Sequence, residues 1–254
     1  MRISIEAVPR SKEEFIPLHY NSYLQGYIYS MFKEAFPQLH DKGFRYEKRS
    51  FRHFTFSRLF SKGIRRQGDS LKIRNPIRFS MSFLMDPMPN LAIKHLIQKR
   101  NLRIGNGEFE IKDASAFTEP VTGEEDEVEF DFQTLSPIVT YRTIEKNGKP
   151  YTQYYTPYDS DFYELIKDNM KRKYTSIFGK EPKEEHDCFI VPTDINPKKS
   201  LAIVKYKGFI IKGYTGRFHY KGNGKLALIA YNTGFGAKNP QGFGMADYYN
   251  VKTA

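Results

Sequence analysis

An order of periodicities that occurs twice is the strongest constraint on how this chain folds. Arg2-Ile-Ser-Ile-Glu-Ala-Val alternates polar and apolar residues, the period-2 pattern of a half-buried strand. Asn21 to Phe36 then carries Leu24, Tyr27, Ile28, Met31 and Ala35 on one helical stripe, and Pro37 closes it. Strands are predicted over His53–Phe60 and Ile77–Leu84, then a helix over Asn90–Lys99 and a strand over Glu108–Phe117. The order is β-α-β-β-α-β, the ferredoxin-like unit. After an acidic break it returns. A long strand is predicted through Val128–Arg142 and a helix over Asp159–Tyr174. Strands follow at Cys188–Val191, Ser200–Val204 and Phe209–Tyr220, with a helix over Lys225–Tyr231 and a strand over Gly244–Val251. The predicted fold class is α+β, two tandem ferredoxin-like βαββαβ domains spanning 1–118 and 128–254, with 119–127 as linker.

Charge marks the break between the halves. Glu119 to Asp131 holds seven acidic residues and no basic one, with Pro120 and Gly123 among them, and reads as a solvated linker. Over the whole chain 40 Lys and Arg stand against 29 Asp and Glu, a formal +11. Residues 1–118 carry 21 basic and 11 acidic side chains, whereas 119–254 carry 19 and 18. A surplus of this size suits a polyanion, either nucleic acid or an anionic membrane surface. No stretch approaches the roughly 18 apolar residues that cross a bilayer. Glu6 also interrupts the first apolar run too early for a signal peptide. Nucleic acid, and no membrane, is therefore the expected partner. Cys188 is the single cysteine, which excludes an intramolecular disulfide framework or a cysteine zinc finger and fits a reducing, cytoplasmic setting. Hydrophobic residues make up 39% of the chain, enough for a packed core.

Within the first half, Lys42 to Arg66 gathers nine basic residues against Glu47 alone, interleaved with Phe44, Tyr46, Phe51, Phe54 and Phe56. Cations alternating with aromatics offer phosphate contacts and base-stacking faces together, so Lys48, Arg49, Arg65 and Arg66 are candidate RNA contacts. Half-buried strands produce the same alternation. No His, Asp and Glu cluster has metal-ligand spacing, so no metal or other cofactor is expected.

Near the end of the chain, Gly234-Phe-Gly-Ala-Lys-Asn-Pro-Gln-Gly-Phe-Gly244 sets two Gly-Phe-Gly units around a basic, turn-forming centre. Gly234, Gly236, Gly242 and Gly244 permit φ > 0 and close backbone approach, so successive N–H groups are expected to form a phosphate nest, with Lys238 adding a charge. The spacing fits neither the Walker loop nor the dinucleotide fingerprint. A plain helix-to-strand connector is the alternative.

This loop closely resembles the C-terminal glycine-rich motif of the CRISPR-associated repeat-RNA endoribonucleases, of the repeat-associated mysterious protein superfamily. Tyr23-Leu-Gln-Gly-Tyr-Ile-Tyr29 is similar to that family's first helix, and Leu39-His40 to its catalytic-loop histidine. Phe54-Thr-Phe-Ser57 resembles the strand that follows, and Thr134-Leu-Ser-Pro-Ile138 the first strand of its second domain. The resemblance implies cleavage of CRISPR precursor RNA within its repeats without a metal. The ribose 2′-OH attacks the adjacent phosphate, leaving a 2′,3′-cyclic phosphate and a 5′-hydroxyl. It implies His40 as acid/base and Tyr29 as its partner, with Arg52 at the family's lysine position, where it stabilises charge rather than titrating. Spacing agrees for Tyr29, which lies roughly 140° around the helix from Leu24, off the core stripe. His53 competes with His40, and Lys48 with Arg52. CRISPR repeat RNA is the partner implied, with the chain acting as a monomer or a homodimer. A non-catalytic guide-RNA-binding subunit of an effector complex is the alternative, and only the enzyme needs His40.

Overall fold

A computed structural model describes residues 1–33, 44–46, 49–84, 86–118, 127–183, 186–196 and 198–252, with the backbone alone for 44–46, 49–50 and 250–252. The first half runs β1 (Arg2–Pro9), β2 (Glu14–Pro17), α1 (Asn21–Ser30), β3 (Phe44–Tyr46), β4 (Arg49–Phe51) and β5 (Phe54–Phe56). It continues with β6 (Arg65–Gln67), β7 (Ser70–Ile73), β8 (Ile77–Phe83), α2 (Met88–Gln98), β9 (Asn101–Ile104) and β10 (Gly107–Phe117). Its main sheet has the order β5-β8-β1-β10-β9, antiparallel throughout. Taken as first to fourth strands of a βαββαβ unit, β1, β5, β8 and β10 stand in the order second-third-first-fourth, with β9 added at the edge. Alternation in β1 turns Ile3, Ile5 and Ala7 inward, where they meet Phe79 and Met81 of β8, Leu24 and Ile28 of α1, and Ala92 and Leu96 of α2. Each such side chain contributes about 1.5–3 kcal/mol on full burial.

The second half repeats the order. It runs β11 (Glu127–Thr134), β12 (Tyr141–Lys146), β13 (Lys149–Tyr154), α3 (Ser160–Phe178), β14 (Cys188–Asp194) and β15 (Leu201–Tyr206). It ends with β16 (Phe209–Tyr214), β17 (Arg217–Asn223), α4 (Gly224–Thr233), a 3₁₀ turn at Asn239–Gln241 and β18 (Ala246–Lys252). The sheet order β14-β17-β11-β18 is again second-third-first-fourth. Phe130 and Phe132 of β11 lie over Phe162, Ile166 and Met170 of α3 and Leu226 and Ala230 of α4. Extra hairpins, β12–β13 and β15–β16, leave this sheet and form two-stranded ribbons.

Helix α4 is apolar all round because it is sandwiched. One side covers its own sheet, and the other packs against β5 and β8 of the first domain. Arg2 seals that junction: its guanidinium lies 3.3 Å over the Tyr231 ring, donates 2.7 Å to the Tyr231 carbonyl and sits 3.5 Å from Asp247.

Three predicted strands are interrupted. The strand predicted over His53–Phe60 is regular at Phe54–Phe56 and pairs with β8 again at the Phe60–Arg78 bridge; it is interrupted between them because the Arg58 N–H crosses to the Leu135 carbonyl of the other domain. The one through Val128–Arg142 breaks after Thr134, since Leu135 and Ser136 both donate to the Met245 carbonyl. The third, over Phe209–Tyr220, splits at Thr215–Gly216, where a Cβ on Gly216 would lie 2.1 Å from Ile195. In addition, α1 ends at Ser30, where the Met31 and Phe32 N–H groups tighten onto the Ile28 and Tyr29 carbonyls; residues 34–36 of the predicted helix lie outside the described residues. Of the acidic linker, 119–126 lies outside the described residues. Glu127, Glu129 and Asp131 belong to β11 and pair with Lys221 and His219 of β17.

Candidate functional site

A cleft of about 1000 Å³ opens between the domains. The first domain contributes Gln25 and Tyr29 of α1 and the segment Phe51–Phe54; the second contributes the start of β12, one side of α3, the β15–β16 turn and the centre of the glycine loop. Six cations line it (Arg52, Arg142, Arg172, Lys173, Lys207 and Lys238) against one acid, Asp168. Arg142 pairs with Asp161 at 2.8 Å and Arg172 with Asp168 at 3.9 Å.

Tyr29 and Arg52, distant in sequence, meet here through a side-chain hydrogen bond. Tyr29 stands edge-on to Phe54, with ring centroids 5.5 Å apart. Burial pushes its phenol up, and the neighbouring Arg52 charge and hydrogen bond partly offset this, so Tyr29 stays a proton donor at neutral pH. His53, next to Arg52, has φ +47, is buried, stacks on Phe51 and sets Nε2 3.2 Å from the Ser176 hydroxyl of α3. Burial, with a smaller contribution from Lys173, pushes its pKa down to about 3, so it is neutral and works as a pin between domains. His40 and Lys48 lie outside the described residues, and of Arg49 only the backbone, in β4, is described. Arg65 and Arg66 are exposed on the small β2-β7-β6 sheet and do not line the cleft; Arg66 closes its own turn on the Gly68 carbonyl at 3.0 Å.

The glycine loop reaches the cleft in a way the sequence reading did not anticipate. Gly234, Gly236, Gly242 and Gly244 are all buried with φ between +69° and +89°. A Cβ would meet Asn239 at Gly234, the Val139 carbonyl at Gly236, the Phe56 ring at Gly242 and the Phe235 carbonyl at Gly244. The N–H groups of Phe235, Ala237, Gly242 and Gly244 donate to Gly244, Val139, Asn239 and Pro137. These groups therefore close the loop on itself and on the chain beside it instead of opening toward a phosphate. Asn239 staples the two arms, its amide donating to Phe235 and Phe243 carbonyls at 3.1 and 3.0 Å. From the first domain, Asn21 and Gln25 each donate at 2.8 Å to the Gln241 and Pro240 carbonyls. What the loop presents to the cleft is Ala237, Lys238, Pro240 and Gln241, with Lys238 4.9 Å from the Tyr141 ring centroid.

The sequence reading also passed over Lys173. It continues the α3 core stripe Phe162–Ile166–Met170 at helical spacing, and a lysine on such a stripe is the signal that would have found it. Its ammonium is buried and donates to the Thr233 and Gly234 carbonyls at the end of α4. Burial pulls its pKa from 10.5 down to about 7. A base depressed in the fold binds fewer protons than in the unfolded chain between those values, so stability rises with pH there and is lost as pH falls toward 7. The parent should gain up to about 1.4 kcal/mol per pH unit between pH 7 and 10 over Lys173→Met, in urea titrations of both proteins. Parallel pH profiles would show that Lys173 is not held in its depressed state.

Two ferredoxin-like domains around a cationic cleft, closed by a double Gly-Phe-Gly loop, make this a tandem ferredoxin-like protein with a groove suited to a polyanion. The family described as "CRISPR-associated protein Cas6, N-terminal" matches residues 15–115, and "CRISPR associated protein Cas6, C-terminal" matches 117–248. The chain belongs to the Cas6 family. It is 29% identical to the CRISPR-associated endoribonuclease Cas6 of Pyrococcus furiosus, over 100% of this chain and 92% of that protein. It is 27% identical to CRISPR-associated endoribonuclease Cas6 1 of Methanocaldococcus jannaschii, over 96% and 91%. The solved structure of a Cas6-related gene product from Pyrococcus furiosus superposes with a TM-score of 0.83 at 24% identity, covering 98% of each chain. A protein of this class described as binding different RNA substrates superposes at 0.80 and 22% identity, over 98% of this chain and 99% of that one.

Proposed function

We propose that the chain is an endoribonuclease that binds CRISPR precursor RNA in the interdomain cleft and cuts it within the repeats. The scissile nucleotide's 2′-oxygen bonds to phosphorus as its proton passes to a base. The bond to the 5′-oxygen breaks as that oxygen takes a proton from an acid, leaving a 2′,3′-cyclic phosphate and a 5′-hydroxyl. His40 carries the proton transfers, Tyr29 donates a hydrogen bond to the phosphate, and Arg52 stabilises the extra charge of the phosphorane. Lys48 and Arg49 contact the RNA backbone, Lys238 contacts it from the glycine loop, and Arg65 and Arg66 contact it outside the cleft.

The observation that carries this reading is the Tyr29–Arg52 hydrogen bond at the wall of a cleft with six cations and one acid. The relatives' names supply the substrate class. Tyr29 holds the protonation state its role needs because burial raises its phenol, and the Arg52 guanidinium offers a planar fork suited to phosphate oxygens.

Incubation with the cognate repeat RNA in EDTA, followed by mapping of the product ends, tests the proposal. A single cut per repeat with a cyclic phosphate and a 5′-hydroxyl is expected, and a 2′-deoxy nucleotide at the cut should abolish it. Tight binding without cleavage would make the chain a guide-RNA-binding subunit, and cleavage of the 2′-deoxy substrate would remove the mechanism.

A further inference from the structure

The ribbon β12–β13 lacks the support of a larger sheet, and an isolated two-stranded hairpin is marginal in water. Its register sorts its side chains cleanly. Arg142 opposes Gln153, Ile144 opposes Tyr151 and Lys146 opposes Lys149, so these six share one face. The other face carries Tyr141 and Tyr154, which pack on the core beneath, and Glu145. The ribbon's acid is therefore on the side away from its cations. On the open face Tyr151 is 50% exposed, Lys146 lies 5.3 Å from its ring centroid, and Lys149 is exposed beside them. Asn147 and Gly148, at φ +54 and +72, form the tight turn that suits a two-residue hairpin and pre-sets its twist.

The ribbon begins in the cleft, since Tyr141, Arg142 and Thr143 line it, and its six-residue strands carry it roughly 20 Å outward. An exposed aromatic ring beside Lys146 and Lys149, on a ribbon face that carries no acid of its own and runs into the cleft through Arg142, itself paired with Asp161 of α3, matches what single-stranded nucleic acid requires: a stacking plane with phosphate partners beside it. We infer that the Arg142–Lys146/Lys149–Tyr151 face of this ribbon binds the single-stranded RNA leaving the cleft, stacking one base on Tyr151. This rests on the cleft being the RNA site proposed above. It adds a second contact region, set by RNA length rather than by the cut itself.

Binding of a series of repeat RNAs extended stepwise on either side of the cut tests the inference, with the parent, Tyr151→Ala, Lys146→Glu/Lys149→Glu and, on the opposite face, Thr152→Ala. For the parent, affinity should rise once the extension on one side is long enough to reach the ribbon. Tyr151→Ala should lose roughly tenfold or more of that gain, and the charge reversal more, with a shallower salt dependence. Thr152→Ala should follow the parent, and thermal unfolding should show all variants folded. Equal affinities for parent and Tyr151→Ala at every length would overturn the ribbon site while leaving cleavage in the cleft untouched. A loss equal at every length would assign Tyr151 to the cleft and also reject the ribbon as a separate contact. A parent that binds none of these RNAs would overturn both readings together.

Discussion

His40→Ala is expected to slow single-turnover cleavage of repeat RNA by roughly 10²–10⁴-fold, the range for loss of a general acid or base, while RNA affinity stays near that of the parent. The described residues narrow the field for this role. Tyr29 is raised by burial and donates without becoming a base. His53, the rival histidine, is pushed down to about 3 by burial and stands against Ser176. At pH 7 only about one molecule in 10⁴ would carry its proton, so it cannot serve as the acid. His53→Ala should therefore leave the catalytic pH profile unchanged, whatever it does to stability. Lys173, which lines the cleft, is pulled down to about 7 by burial, and its amine is turned to the Thr233 and Gly234 carbonyls. A parental rate for His40→Ala, with a changed pH profile for Lys173→Met, would move the proton transfer to α3.

Gly244→Ala carries the largest expected effect on stability. The residue sits at φ +75, and the added methyl would lie 1.9 Å from the Phe235 carbonyl oxygen, inside the arm that Asn239 staples. Left-handed strain and overpacking each cost about 1–3 kcal/mol, so a loss of roughly 2–6 kcal/mol is expected, measured as the shift in urea midpoint at constant slope. Gly236→Val and Gly242→Val should behave alike, against the Val139 carbonyl and the Phe56 ring. RNA affinity falls with them because the loop no longer holds Lys238 beside Tyr141. Folded, fully stable Gly244→Ala protein with weakened RNA binding would instead restore the picture of glycines that admit RNA to the backbone.

The amino-acid sequence by itself determined the two βαββαβ orders, because alternation in β1 and β11 and the helical stripes of α1 and α3 are local patterns that each bury one face. It also marked four glycines as free to take left-handed backbone, which all four adopt. Only the tertiary structure decided what Gly236 and Gly242 face, because the partners that fill the space above them, Val139 and Phe56, come from elsewhere in the chain. The strand breaks at Leu135 and Arg58 arise in the same way, from N–H groups drawn to carbonyls that the sequence does not bring near. Charge shows the difference most plainly. The first half carries nearly all of the net surplus, yet Arg142, Arg172, Lys173, Lys207 and Lys238, five of the six cleft cations, come from the half whose charges almost cancel. Net charge is a sum and carries no direction. In that half the acids Glu127, Glu129, Asp131 and Asp187 are spent on partners in the open sheet and along α3, which leaves the cations of the opposite side to define the cleft.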